Sequence, residues 1–148
     1  MTPTLAGRWQ TRTFLLATLG APITLAFGFL YDDFGTPLAL LSYVWLLGLI
    51  WDVGYNFLQN RRWEGDWPPL FFAVGGLAEA LVLWDLVRAT YLWPIFGLET
   101  LPGVDANLTL AQFGAHYATV WLVTFLATLG PLRVLFLKWR FRGGQLWS

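Results

Sequence analysis

The chain has 148 residues, of which 57% are hydrophobic, 18% aromatic and 12% charged, with a mean hydropathy of +0.55. Soluble globular domains carry roughly 25% charge, so this composition belongs to the membrane class. The formal net charge is zero, which removes the electrostatic basis for binding nucleic acid, and the absence of cysteine removes disulfide exchange, thiolate catalysis and iron–sulfur ligation.

Read in chain order, the sequence predicts an all-α integral membrane protein, a bundle of four transmembrane helices in one domain. About 20 apolar residues span a bilayer as a helix. The first helix is expected over about 13–31, with a kink at Pro22. Arg8 and Arg12 precede it, and the apolar run is too long for the core of a removable signal peptide. Asp32–Thr36 reads as a turn.

The second helix is expected over about 37–59, opened by Pro37. Asn60–Pro69 is a charged loop ending in two prolines, which open a third helix over about 69–93. Pro94, Gly97, Pro102 and Gly103 mark the following stretch as an extramembrane loop. Thr109 and Gln112 have capping-box spacing, so the fourth helix is expected over about 109–138. Residues 138–148 alternate basic and apolar residues, the pattern of an interfacial tail.

Charge asymmetry orients the bundle. Eight of the nine basic residues precede helix one, join helices two and three, or flank the end of helix four. The other two loops carry Asp32, Asp33, Glu99 and Asp105. This places both termini in the cytoplasm (N-in, C-in), most simply in the plasma membrane of a bacterium. Trp9, Trp63, Trp67, Trp139 and Trp147 fall at the inner interface and Trp93 at the outer one, as an aromatic belt requires. Trp45, Trp51, Trp84 and Trp121 fall within the spans, where an indole needs a partner or a packed interior. Small residues recur at Gly20, Thr24 and Gly28, at Gly48, and at Gly75 and Gly76. Such stripes point to close helix packing or to an oligomer interface.

Ionisable residues within spans are functional candidates by default. Asp52, Asn56 and Gln59 form a polar face with Gly48 on helix two, and Glu79 lies near mid-membrane on helix three. No basic residue is expected at their depth, so this carboxylate layer reads as a possible transport element. Asp85 and Arg88, three apart on one helix face, are expected to form an ion pair or an anion site in the outer half, with His116 nearby. His116 is the sole histidine. One imidazole makes no metal site, but it can be the axial ligand of a tetrapyrrole, with Phe113, Tyr117 and Trp121 around it.

Several patterns carry little weight. Asp52-Val-Gly-Tyr-Asn56 matches a potassium-filter string only in part, and it sits inside a continuous helix pattern. Trp51–Asp52 and Trp84–Asp85 repeat a dipeptide without matching flanks. Asn107-Leu-Thr109 is a glycosylation sequon, relevant only in a eukaryotic secretory pathway. No span contains lysine for a retinal Schiff base, no HExxH or GxSxG site occurs, and helix one lacks the carboxylate of small four-helix multidrug exporters.

The sequence thus leads with a non-catalytic protein of the bilayer, an accessory or assembly subunit of a membrane complex or a self-associating homo-oligomer. The alternatives are a small proton-coupled transporter or ion carrier using Glu79 and Asp52, and a pigment- or haem-binding subunit using His116.

Overall fold

The computed structural model describes residues 3–61, 69–89, 92–139 and 141–147. Expectations for most of the loop between helices two and three, including Arg62, Trp63 and Trp67, fall outside these residues, as does Arg140. Among the described residues the protein is entirely helical, with four helices long and apolar enough to cross a membrane. We label these α1 (Leu5–Tyr31), α2 (Gly35–Asn60), α3 (Pro69–Val87) and α4 (Leu110–Leu129); a short α5 (Pro131–Leu135) follows.

The helices run alternately up and down. α1 packs on α2 and α4, and α3 closes the ring against the same two helices. Both chain termini meet at one end. The Thr4 amide donates to the Gly143 carbonyl (2.8 Å) and the Thr11 hydroxyl to that of Gly144 (2.8 Å). The Trp139 indole donates to Thr11 (2.8 Å) and the Leu146 amide to Gln10 (2.9 Å). The basic segment expected at the interface is docked on the first turns of α1.

α1 begins at Leu5, about two turns before the expected start. Thr4 is its N-cap, and the hydroxyl accepts from the Gly7 amide at 3.1 Å, a bond that satisfies one of the free donors of the first turn. The extension carries Arg8 and Arg12 into the helix. The irregularity expected at Pro22 is a π turn at Leu16–Gly20, where the backbone accommodates the approaching imino nitrogen. Asp32 ends α1 in the left-handed conformation (φ 53°), which aspartate tolerates better than most residues.

α3 ends at Val87, not near Trp93. Trp93 opens a 3-10 turn (Trp93–Phe96) and donates its indole N–H to the Leu86 carbonyl at 2.7 Å. α4 starts with the expected capping box, Thr109 and Gln112 exchanging bonds. It stops at Leu129, because Gly130 breaks it before Pro131, short of the expected 138.

The loop after the 3-10 turn folds back over the bundle end opposite the termini. Leu101, Val104 and Leu108 are buried there with Leu40, Leu83, Val87, Phe113 and Tyr117. The Tyr43 hydroxyl donates to the Pro102 carbonyl (2.8 Å), and the Asp105 amide donates to the Thr36 hydroxyl (3.0 Å). The stretch expected to stand outside the membrane thus seals the bundle with apolar side chains.

Candidate functional site

In the half of the bundle that holds the termini, four helices surround charge. Arg12 reaches across from α1. Its Nε and Nη2 bind the two oxygens of Asp52 at 2.9 and 3.0 Å, and its Nη1 and Nη2 bind those of Glu79 at 3.2 Å each. The guanidinium is a rigid fork of donors, and here one face serves each carboxylate. Asp52 is 4% exposed and Glu79 8%, so both charges lie away from solvent, where removing a partner leaves a costly buried ion. The Tyr55 hydroxyl donates a longer bond to Glu79 (3.4 Å). One turn before Arg12, buried Arg8 donates to the buried Gln59 amide oxygen at 2.7 Å and stands over the Phe72 ring.

This overturns the expectation that Asp52 and Glu79 lack a basic partner. The partner is Arg12, which the sequence places outside the membrane by starting helix one about eight residues late. The missed signal is modest: Thr4 is a good N-cap residue, and Arg8, Arg12 and Leu15 follow at helical spacing.

The glycines are sockets. A Cβ at Gly48 would collide with the Arg12 guanidinium, one at Gly75 with the Tyr55 hydroxyl, and one at Gly76 with the Trp121 indole. Gly48 and Asp52, one turn apart on α2, admit and bind the same side chain. The small-residue pattern expected to serve helix approach serves large side chains that cross between helices. Tyr117 reinforces this by donating to the Gly76 carbonyl at 2.8 Å.

Beside the charge cluster lies a cavity of about 370 Å³. Its wall includes Arg8, Arg12, Asp52, Tyr55, Glu79 and His116, and it extends past Thr124 and Thr128 to Arg133 at the terminal end. The volume is within the range of small-molecule sites. Asn56, one turn beyond Asp52, is half-buried on α2.

The expected outer layer separates. His116 is 2% exposed and faces α1: its Nε2 shares a hydrogen bond with the Thr24 hydroxyl (2.9 Å), and the Phe27 ring meets it edge to face at 5.3 Å. Asp85 and Arg88 are exposed at the end of α3. Arg88 lies just beyond that helix, with its guanidinium over the Trp84 ring and a long bond to the Ala106 carbonyl (3.4 Å). His116 is thus turned toward Thr24 and Phe27 of α1. For a tetrapyrrole, the nitrogen an iron would need on His116 is the one engaged by Thr24, or else the ring must turn. Among the described residues no group of three His, Asp or Glu side chains is placed to hold a metal ion.

A second, smaller cavity of about 130 Å³ opens at the other end of the bundle, between Tyr31, Asp33, Thr36, Asp105, Asn107, Leu108 and Gln112. No protein-family model matches this chain, and no curated protein or solved structure is similar enough to match it.

Proposed function

We propose that the protein is a small proton-coupled carrier, inserted in a bacterial plasma membrane with both termini cytoplasmic, and that its working element is the Arg12–Asp52–Glu79 cluster on the cavity wall. The cavity beside that cluster carries this reading. It brings a half-open space of small-molecule size up to buried charged side chains. Charged groups at membrane depth mark ion and proton pathways. Arg61, Arg133, Lys138 and Arg142 stand at the terminal end while Asp32, Asp33, Glu99 and Asp105 lie in the other connections, which supports the orientation.

A proton reaching Glu79 removes its negative charge. Its bonds to Arg12 weaken, and Arg12 keeps Asp52 alone. The cluster thereby links protonation to the relative positions of α1, α2 and α3, the linkage a coupled carrier needs. A role as accessory subunit or self-associating unit has no observation of its own: the exposed Phe29, Leu30, Ile50 and Leu70 are what contact with lipid requires.

The test is proton flux in liposomes holding a pH-sensitive dye. The wild-type protein should speed the decay of a pH gradient. Glu79→Gln, with unchanged thermal unfolding, should reduce the rate by roughly a hundredfold, the lower end of what a positioned proton-transfer group contributes. A wild-type protein that leaves the gradient untouched, or a Glu79→Gln variant as fast as the wild type, ends the proposal.

A further inference from the structure

The large cavity stops before it reaches the far end of the bundle, and the question is where a proton would leave it. The far half is filled mainly by Leu40, Leu83, Val87, Leu108 and Phe113, and the Tyr117 hydroxyl among them donates to the Gly76 carbonyl. A different line of residues does continue, along the seam between α1 and α4. His116 lines the large cavity and bonds Thr24. One turn further on α4 is Gln112, about 6 Å along the axis, and its carbonyl accepts from the Tyr31 hydroxyl of α1 at 3.0 Å. Tyr31 and Gln112 line the small cavity at the opposite end, with the carboxylates of Asp33 and Asp105.

Among the described residues, the Phe27 ring touches both of these polar layers. Phe27 sets its ring 5.3 Å from His116 on one side and 5.4 Å from Tyr31 on the other. Thr24 and Tyr31 lie two turns apart on one face of α1, and Phe27 occupies the turn between. Tyr117, Glu79 and Arg12 share the large cavity with His116, so charge is available up to the Phe27 layer from the terminal side. Asp33 and Asp105 supply acceptors from the other.

We propose that the seam between α1 and α4 is the second half of the proton route, and that Phe27 is the gate that separates the two cavities. The inference rests on the carrier reading for the identity of the ion, but the gate itself is tested without transport. The chain contains no cysteine, so single cysteines report access to membrane-impermeant thiol reagents directly.

In proteoliposomes, Thr128→Cys should react only from the side of the termini and Asn107→Cys, exposed at the small cavity, only from the opposite side. Thr24→Cys should react from neither. Adding Phe27→Ala should make Thr24→Cys reactive from the side opposite the termini, whereas adding Phe27→Leu, which keeps an apolar side chain in place, should leave it unreactive. Thr24→Cys that reacts from the opposite side with Phe27 intact, or stays unreactive there after Phe27→Ala in a protein whose two control positions still label, overturns the gate. Labelling as expected without proton flux in the wild type upholds the gate and overturns the carrier reading.

Discussion

The two halves of this bundle are built on opposite principles from the same four helices. Away from the termini, Leu40, Leu83, Val87, Leu101, Val104, Leu108 and Phe113 fill the interior. Toward the termini, the helices keep a cavity and hold Arg12, Asp52 and Glu79 on its wall. The apolar half is fixed by shape, so its stability is spread over many small dispersion contacts. The hollow half is fixed by one cation shared by two anions. A close-packed core has essentially one arrangement, whereas the carrier reading proposed above requires the hollow half to rearrange when a proton moves.

The largest expected effect breaks the hollow half. Arg12→Met removes the cation that binds both buried carboxylates and should cost roughly 3–5 kcal/mol, the usual result of removing one partner from a buried ion pair. Adding Asp52→Asn and Glu79→Gln should restore most of the loss, because the burden is the uncompensated charge. Thermal unfolding in mild detergent measures both. An Arg12→Met protein as stable as the wild type would show that the cluster is not what holds this half together.

The matching cut in the apolar half is Leu83→Ala. Leu83 is 1% exposed, and truncation should cost about 3 kcal/mol through lost contacts and the space left behind. Here no compensating polar substitution exists. The comparison fails if Leu83→Ala is rescued by Asp52→Asn with Glu79→Gln, since that would couple the two halves energetically.

Gly48→Ala comes next. Its added Cβ runs into the Arg12 guanidinium, and overpacking of this kind costs roughly 1–3 kcal/mol. If the socket is the reason for the glycine, the penalty should shrink when Arg12 is already Met. A penalty unchanged by Arg12→Met assigns Gly48 to backbone packing alone. Tyr55→Phe removes a long hydrogen bond to Glu79, which should cost about 1 kcal/mol or less, readable as a small shift of the same unfolding curve.

What the sequence revealed differs between the halves for a physical reason. Span location depends on local composition, so four helices and the capping box at Thr109 were readable residue by residue. The charge cluster depends on which residues face each other across helices 40 and 67 positions apart in sequence, and periodicity within one helix carries no such information. Asp52 and Glu79 were identifiable as unusual because each stands alone in an apolar run. Arg12 was not, because a charge just before an apolar run resembles an interfacial anchor. The long aliphatic stem of arginine allows either placement, and only the Thr4 cap and the Gly48 socket distinguish them. His116 stands out in the sequence as an ionisable residue within a span, but its partner Thr24 does not, because it reads as one more small residue in a packing stripe.

The smallest effect sharpens the comparison at the far end, outside the spans. Asp33 accepts from the Gly35 amide at 2.8 Å and the Thr36 amide at 3.3 Å, holding the start of α2. Hydrogen bonding from the Thr36 side chain, with the two backbone amides, holds its carboxyl below the usual aspartate range against a weaker opposing effect of burial. A carboxyl with a lowered folded-state value binds its proton less readily when folded than when unfolded. Its contribution is therefore complete above the unfolded value of about 3.9 and disappears as pH falls through the folded value. Asp33→Asn keeps an acceptor for both amides but cannot titrate. The wild type should lose slightly more thermal stability than Asp33→Asn as the pH falls from about 4 toward about 2, below the unfolded carboxylate value. The group is partly exposed, so the difference should be small and should shrink with added salt. Equal acid slopes for the two proteins would mean that Thr36 and Gly35 hold Asp33 equally well in either protonation state.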